Sequence, residues 1–212
     1  MNYLRNSNSN PNPNPIRTPT LTPTPPTKPK LRILCLHGAL GSASVLRSQA
    51  APLANLSSVA DLVFVDAPAL SRGGRGWFDL STYAGLDETY AYLSNILHTH
   101  GPFDGVLGLS QGAVLASILV GWFDFAIMFG GFVAQHPEVR KVYAGKEYAR
   151  PSLHVYGMAD RIVSPESSKR LAGMFTDPTV VVHGGGHVIP SDKASVRRVE
   201  EFVARRHAAR FG

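Results

Sequence analysis

The sequence predicts a doubly wound α/β domain with a mainly parallel sheet, and three observations support this. Short apolar runs of four to six residues recur along the chain from Leu31 onward. Amphipathic stretches with apolar residues at spacings of three and four separate these runs, as helices separate the buried strands of a parallel sheet. The chain has 212 residues, of which 44% are hydrophobic, and this size favours a single compact domain.

The strands and helices alternate at intervals that suit right-handed crossovers. The predicted strands are Leu31–Leu36, Asp61–Val65, Gly105–Leu109, Phe125–Phe129, Ser152–Tyr156 and Thr179–His183. The predicted helices are Ala43–Leu56, Leu86–His100, Gln111–Val120, Pro165–Phe175 and Asp192–Arg210.

Residues 1–30 have a different composition, because 21 of these thirty residues are Pro, Asn, Thr or Ser. Closely spaced prolines remove backbone donors and favour extended conformations, so we expect a disordered leader before a domain that spans residues 31–212. The leader contains no apolar run of the length that a secretory signal needs. It also contains no acidic residue, which leaves an organellar transit peptide as an alternative to an untargeted tail.

Net charge and cysteine content exclude several classes of protein. The formal charge is +6, but four of the basic residues lie in the leader, so residues 31–212 carry 17 basic and 15 acidic side chains, or +2. A nearly neutral domain does not favour nucleic acid as a partner. Cys35 is the only cysteine, so no internal disulfide can form, and a reducing, cytoplasmic compartment is expected.

Residues 112–134 contain a single charge, Asp124, and are long enough to span a bilayer. However, the first half has the composition of a helix, whereas the second half is β-prone and interrupted by glycines. We therefore expect a helix followed by a central strand, and no stable insertion in a membrane.

The sequence Gly108-Leu109-Ser110-Gln111-Gly112 joins a predicted strand to a predicted helix. In that context G-x-S-x-G predicts a sharp turn, since only small residues two before and two after the serine avoid a clash. The turn would hold the Ser110 hydroxyl above the sheet, where the helix N-terminus and the Gln111 amide can stabilise an oxyanion. Ser110 is thus a candidate nucleophile, with a plain tight turn as the alternative.

A serine nucleophile needs a base that is oriented by a carboxylate, and in this type of sheet the chain order is Ser, acid, His. Asp160 directly follows one predicted strand, and His187 follows the last one. Both loops open on the same sheet edge as Ser110. Taken singly, Asp160 could be a helix-capping residue and His187 a packing residue, but three candidates in the required order favour a triad.

Two other residues, one acid and one histidine, are less suitable as members of the triad. Asp177 comes before the last strand and should lie at the opposite edge of the sheet. His183 ends that strand and is the alternative base, but three glycines separate it from His187, and a glycine turn can carry His187 over Ser110. We expect His183 to support that turn.

The segment Leu36–Gly41 closes the first strand with a flexible turn, where we expect a second oxyanion donor. The backbone amide of Ala39 or Leu40 is the candidate, with His37 packed beneath the turn. The glycines match neither phosphate-binding motif, and one cysteine with scattered histidines offers no metal-ligand spacing.

A glycine-containing loop, residues 73–78, follows the second strand and carries Trp77 and Phe78. This loop leaves the sheet on the same edge as the candidate triad. We expect the two aromatic side chains at the rim of the site, where they either wall an acyl pocket or simply cover the sheet edge.

Several motifs together resemble the FSH family of small serine hydrolases over residues 31–205. They are LRILCLHG, VDAP followed by GGRGWF, GPFDGVLGLSQGA, PSLHVYGMADRIVSPESS and HGGGHVIP. The resemblance implies an α/β-hydrolase fold without a large lid domain. It also implies a triad of Ser110, Asp160 and His187 and activity on carboxylic esters or thioesters.

The sequence therefore predicts a serine carboxylesterase that forms an acyl-enzyme and needs no cofactor or metal. Its expected partner is a small acyl ester or thioester. A thioesterase that releases acyl chains from a carrier would use the same residues. A ligand receptor without catalytic activity is the alternative from a different functional class.

Overall fold

A computed structural model describes residues 29–68 and 76–212. Most of the predicted leader, residues 1–28, and part of the aromatic loop, residues 69–75, lie outside this description. The described sheet has six strands, all paired in parallel in the order β2-β1-β3-β4-β5-β6. They are β1 (Leu31–Leu36), β2 (Ala60–Val65), β3 (Gly105–Leu109), β4 (Phe125–Phe129), β5 (Ser152–Gly157) and β6 (Thr179–His183).

The α-helices of the described residues are α1 (Ala43–Gln49), α2 (Leu86–His100), α3 (Gln111–Ile118), α4 (Pro137–Arg140), α5 (Pro165–Ala172) and α6 (Lys193–Phe211). Shorter 3₁₀ helices cover Ala51–Ser58, Val120–Trp122, Lys141–Ala144 and Lys146–Ala149. Side-chain caps start α1, α5 and α6, where Ser42, Ser164 and Asp192 each accept a hydrogen bond from the first turn.

Apolar side chains cover the sheet on both faces. Successive residues of a strand point to opposite faces, so Leu34 and Leu36 join one core while Ile33 and Cys35 join the other. Helices α2, α3 and α5 pack on the first face, and α1 and α6 pack on the second. The predicted doubly wound architecture is confirmed, and burial on both faces explains why the central strands are continuous apolar runs.

The predicted helix over Ala43–Leu56 is wrong in its second half, because α1 ends at Gln49 and a 3₁₀ segment follows. Pro52 is the physical reason. Proline has no N–H to donate, and its ring clashes with the carbonyl four residues earlier, so an α-helix cannot continue through that position.

The apolar stretch 112–134 has the predicted arrangement of a helix followed by a strand. It contains most of α3, a short 3₁₀ turn and the fully buried strand β4. Within residues 29–68 and 76–212, none of the helices combines the length and apolar character that crossing a membrane requires.

The first described residues already contact the domain. The Pro29 carbonyl lies 2.8 Å from His207 Nε2 in α6, and Lys30 forms an exposed 3.3 Å ion pair with Asp61.

His154 in the centre of β5 predicts an acid-sensitive fold. The side chain is 2% exposed, and burial lowers its pKa from 6.5 to about 3. A histidine whose pKa is lower in the folded state takes up its proton more readily when unfolded, so stability falls as the pH drops from about 6.5 towards 3. The slope from this residue approaches about 1.4 kcal/mol per pH unit.

Thermal unfolding of wild type and His154→Leu across that pH range tests this expectation. The melting temperature of the variant should depend less on pH, whereas the exposed-residue control His98→Gln should follow wild type. Parallel curves for His154→Leu and wild type would contradict the assignment.

Candidate active site

Ser110, Asp160 and His187 all follow the carboxyl ends of strands, namely β3, β5 and β6. In a parallel sheet these ends lie along one edge, where α/β proteins bind ligands. Asp177, by contrast, comes before β6 and lies towards the opposite edge.

Ser110 lies on a strained turn between β3 and α3. Its backbone angles are φ 57° and ψ −118°, a conformation that a residue other than glycine rarely adopts. The flanking glycines allow the turn, because a Cβ on Gly108 would clash with the Gly112 carbonyl and one on Gly112 with the Leu36 carbonyl. The close packing that the sequence predicts for a G-x-S-x-G turn is therefore present.

Asp160 and His187 form a short hydrogen bond of 2.6 Å between Oδ2 and Nδ1. The other carboxylate oxygen of Asp160 accepts the N–H groups of Ile162 and Val163, each at 2.9 Å. Burial alone would raise the pKa of the Asp160 carboxyl, but the hydrogen bonds from Val163, His187 and Ile162 outweigh it and lower the pKa. Asp160 is therefore a fixed anion that orients the His187 ring.

Gly130, directly after β4, lies between the serine turn and this pair. Its neighbour Phe129 accepts a 2.9 Å hydrogen bond from the Ser110 N–H. Gly130 itself has a φ of +54°, and a Cβ there would lie 2.8 Å from Cε1 of His187. Gly130 was not predicted from the sequence, although a glycine pair at the end of a buried strand was a usable signal.

Gly130→Ala should lower kcat about 100-fold, because a displaced His187 ring loses its alignment and a misplacement of about 1 Å has an effect of this size. Gly173→Ala is the control, since its added Cβ would lie 3.5 Å from the Arg170 carbonyl oxygen, an ordinary van der Waals distance. Steady-state kinetics of ester hydrolysis measures kcat for both variants. Equal, small effects from the two would exclude Gly130 as a positioning residue.

The second nitrogen of His187, Nε2, is buried and has no hydrogen-bond partner among the described residues. His183 uses its Nδ1 to accept the Gly185 N–H at 3.1 Å, and burial lowers its pKa against the opposing charges of Asp192 and Asp160. A neutral His183 thus holds the glycine turn that leads to His187.

The turn after β1 lies against the serine. A Cβ built on Gly38 would be 3.3 Å from Ser110 Cβ, and the Gly41 N–H closes the turn on the Gly38 carbonyl at 3.1 Å. Leu40 in this turn has a φ of 59° and is 82% exposed. The turn that carries the predicted Ala39 and Leu40 amides is thus next to Ser110, which is the location an oxyanion donor needs.

His37 and Trp77 support the turn from below. His37 Nδ1 lies 2.7 Å from the Gly38 carbonyl, and its Nε2 accepts the Ala67 N–H at 3.1 Å. The indole of Trp77 donates to the His37 carbonyl at 2.7 Å, and the two rings lie 5.0 Å apart. Both ring nitrogens of His37 are therefore occupied by the backbone.

Trp77 and Phe78 do not occupy the rim that the sequence predicts, since their side chains are 0% and 2% exposed. The Gln111 side chain fixes them, because it accepts the Trp77 N–H at 3.2 Å and donates to the Phe78 carbonyl at 2.6 Å. An acyl-pocket role for these two aromatics stays a prediction. Residues 73–75 of the same loop lie outside the described residues.

No group of three His, Cys, Asp or Glu side chains in the described part of the chain could hold a metal ion. The Asp160–His187 pair, on the same sheet edge as the Ser110 turn, has the form of a carboxylate that orients a histidine, as in nucleophilic catalysis by protein groups.

The chain is similar to serine hydrolases and esterases. The family model described as "Serine hydrolase (FSH1)" matches residues 27–199. Esterase OVCA2 from Danio rerio is 30% identical over 220 residues, covering 82% of this chain and 97% of the relative.

Among solved structures, a carboxylesterase from Bacillus cereus superposes with a TM-score of 0.64 at 19% identity, covering 84% of this chain and 89% of that one. Acyl-protein thioesterase 2 from Zea mays has a TM-score of 0.64 at 20% identity, covering 87% and 96%. These similarities show the α/β-hydrolase fold, with no large lid domain. The chain belongs to the FSH1 family of serine hydrolases and is an ester-cleaving enzyme.

Proposed function

We propose that this enzyme is a serine carboxylesterase that hydrolyses medium- to long-chain acyl esters with a triad of Ser110, His187 and Asp160. The observation that carries the proposal is the 2.6 Å hydrogen bond between Asp160 and His187, on the same sheet edge as the strained Ser110 turn.

In the proposed reaction the Ser110 hydroxyl attacks the acyl carbon, and His187 Nε2 takes the hydroxyl proton. His187 then gives this proton to the leaving alcohol, which departs and leaves an acyl group on Ser110. Asp160 stabilises the imidazolium form of His187 throughout. Water, activated by the same histidine, releases the acid and restores the serine without a cofactor.

Two backbone amides would stabilise the negative charge on the substrate oxygen. Gln111 is the first residue of α3, and the first N–H groups of a helix have no partner within it. Ala39 or Leu40 would supply the second amide from the turn beside Ser110. Such donors contribute about 3 kcal/mol each to lowering the barrier.

Exposed apolar side chains at this edge of the sheet support a substrate with an apolar chain. Among the described residues, the large apolar residues with more than half of their surface exposed are Leu40 after β1, Met158 and Ile162 after β5, and Val188 after β6. A bound substrate would cover such side chains, and each methylene that it buries is worth about 0.8 kcal/mol.

Hydrolysis of p-nitrophenyl esters from acetyl to palmitoyl tests the substrate class. We expect kcat/KM to rise by up to about fourfold per added methylene until the apolar surface is filled. A matching set of acyl thioesters distinguishes an esterase from a thioesterase. A maximum at acetyl, with no gain for longer chains, would contradict the proposed acyl preference.

A further inference from the structure

A groove of about 220 Å³ is lined by residues that closely follow Gly130 and Asp160 in the chain. One wall is the segment after β4, residues 132–135, and the other is formed by the end of the β5 loop and helix α5, residues 162–170. Ser168 joins the walls, since its hydroxyl donates to the Gly131 carbonyl at 2.8 Å. This hydrogen bond holds together the two segments that form the groove.

Both walls begin at the catalytic pair. One wall directly follows Gly130 and Gly131, the first of which lies against the His187 ring. The other begins with Ile162 and Val163, whose N–H groups bind Asp160. The groove is thus lined by segments that leave the same edge of the sheet as Ser110.

The character of the groove changes along both walls in chain order. The first lining residues after Gly131 and after Asp160 are apolar, namely Phe132 and Val133 in one wall and Ile162 and Val163 in the other. Polar residues follow in both walls, with Gln135 on one side and Ser164, Ser167 and Arg170 on the other. A matching ligand is apolar near the scissile bond and polar at its far end.

Arg170 gives the far end a positive charge. Its Nη2 donates to the Ser167 hydroxyl at 2.9 Å, and among the described residues no carboxylate lies within ion-pair distance of it. A guanidinium is suited to carboxylate and phosphate groups, which it binds with paired hydrogen bonds.

The position of the groove indicates which part of the substrate it would bind. The turn with the candidate oxyanion amides follows β1, on one side of Ser110, whereas the groove follows β4 and β5, on the side of His187. His187 must pass its proton to the leaving group, so the leaving group lies on its side.

We propose that this groove binds the leaving group of the substrate and selects one that has an apolar stem and an anionic end, held by Arg170. This inference rests on the proposed esterase mechanism. It makes Arg170 a specificity-determining residue of that site.

The test uses butyryl esters of alkanols of equal length that end in a carboxylate, a phosphate or a neutral amide. For wild type at low salt we expect kcat/KM about fivefold higher for an anionic end than for the neutral one, the upper range for an exposed ion pair. A preference for only one anion identifies the carboxylate or the phosphate as the natural end group.

Arg170→Gln should reduce the ratio of anionic to neutral substrates to about one. Lys169→Gln removes an exposed neighbouring cation that does not line the groove and should keep most of the ratio. A wild-type ratio of one, a ratio that survives in Arg170→Gln, or an equal loss in both variants would overturn the inference. Hydrolysis of p-nitrophenyl butyrate by wild type keeps these failures separate from failure of the esterase proposal itself.

Discussion

Ser110→Ala should remove essentially all ester hydrolysis, with kcat falling by at least about 10⁴, because no other group would form the acyl-enzyme. Hydrolysis of p-nitrophenyl butyrate measures the loss. The melting temperature should change little, since alanine keeps the Cβ that packs beside Gly38 and removes only the hydroxyl.

Ser48→Ala is the control for this variant, because Ser48 is exposed and its hydroxyl bonds only within α1, to the Ser44 carbonyl. Its activity should match wild type. Substantial turnover by a folded Ser110→Ala enzyme would mean that another residue attacks the ester. Absence of turnover in wild type across esters and thioesters would contradict the proposed acyl substrates.

His187→Ala and Asp160→Asn should each lower kcat by about 10⁴, as expected when a triad loses its base or the group that orients it. His183→Ala should cost only about tenfold, because it removes the 3.1 Å contact to Gly185 and leaves the 2.6 Å pair in place. The size of that difference distinguishes a base from a residue that supports its loop.

Steady-state kinetics of the three variants at neutral pH makes the comparison. Losses of similar size at His183 and His187 would leave His187 without a special role. Near-normal kcat in Asp160→Asn would show that another acid orients the base.

The strands were readily predicted because both faces of the sheet are buried. Strand β3, for instance, is buried at every residue, so its sequence is a continuous apolar run without alternating polar residues. The ends of the helices were harder to predict. Pro52 ends α1 because proline cannot donate the backbone hydrogen bond that an α-helix needs at that position. The predicted extension of this helix to Leu56 is therefore wrong.

The order Ser110, Asp160, His187 could be inferred because strand ends in a parallel sheet meet along one edge. The positions of Gly130 and Trp77 could not. Gly130 contacts His187 across 57 residues of chain, and Trp77 contacts His37 across 40. Such contacts depend on how loops fold over the sheet edge, and a local pattern contains no information about that packing.

Mapping the site of a fluorophosphonate adduct tests most directly whether Ser110 is the activated nucleophile. The probe phosphonylates serine hydroxyls that a base activates beside an oxyanion site. Peptide mass spectrometry of the labelled wild type should find one adduct, on Ser110, and the Ser110→Ala protein should take up none. An adduct on a different residue, or undiminished labelling of the alanine variant, would contradict the assignment of Ser110 as the nucleophile.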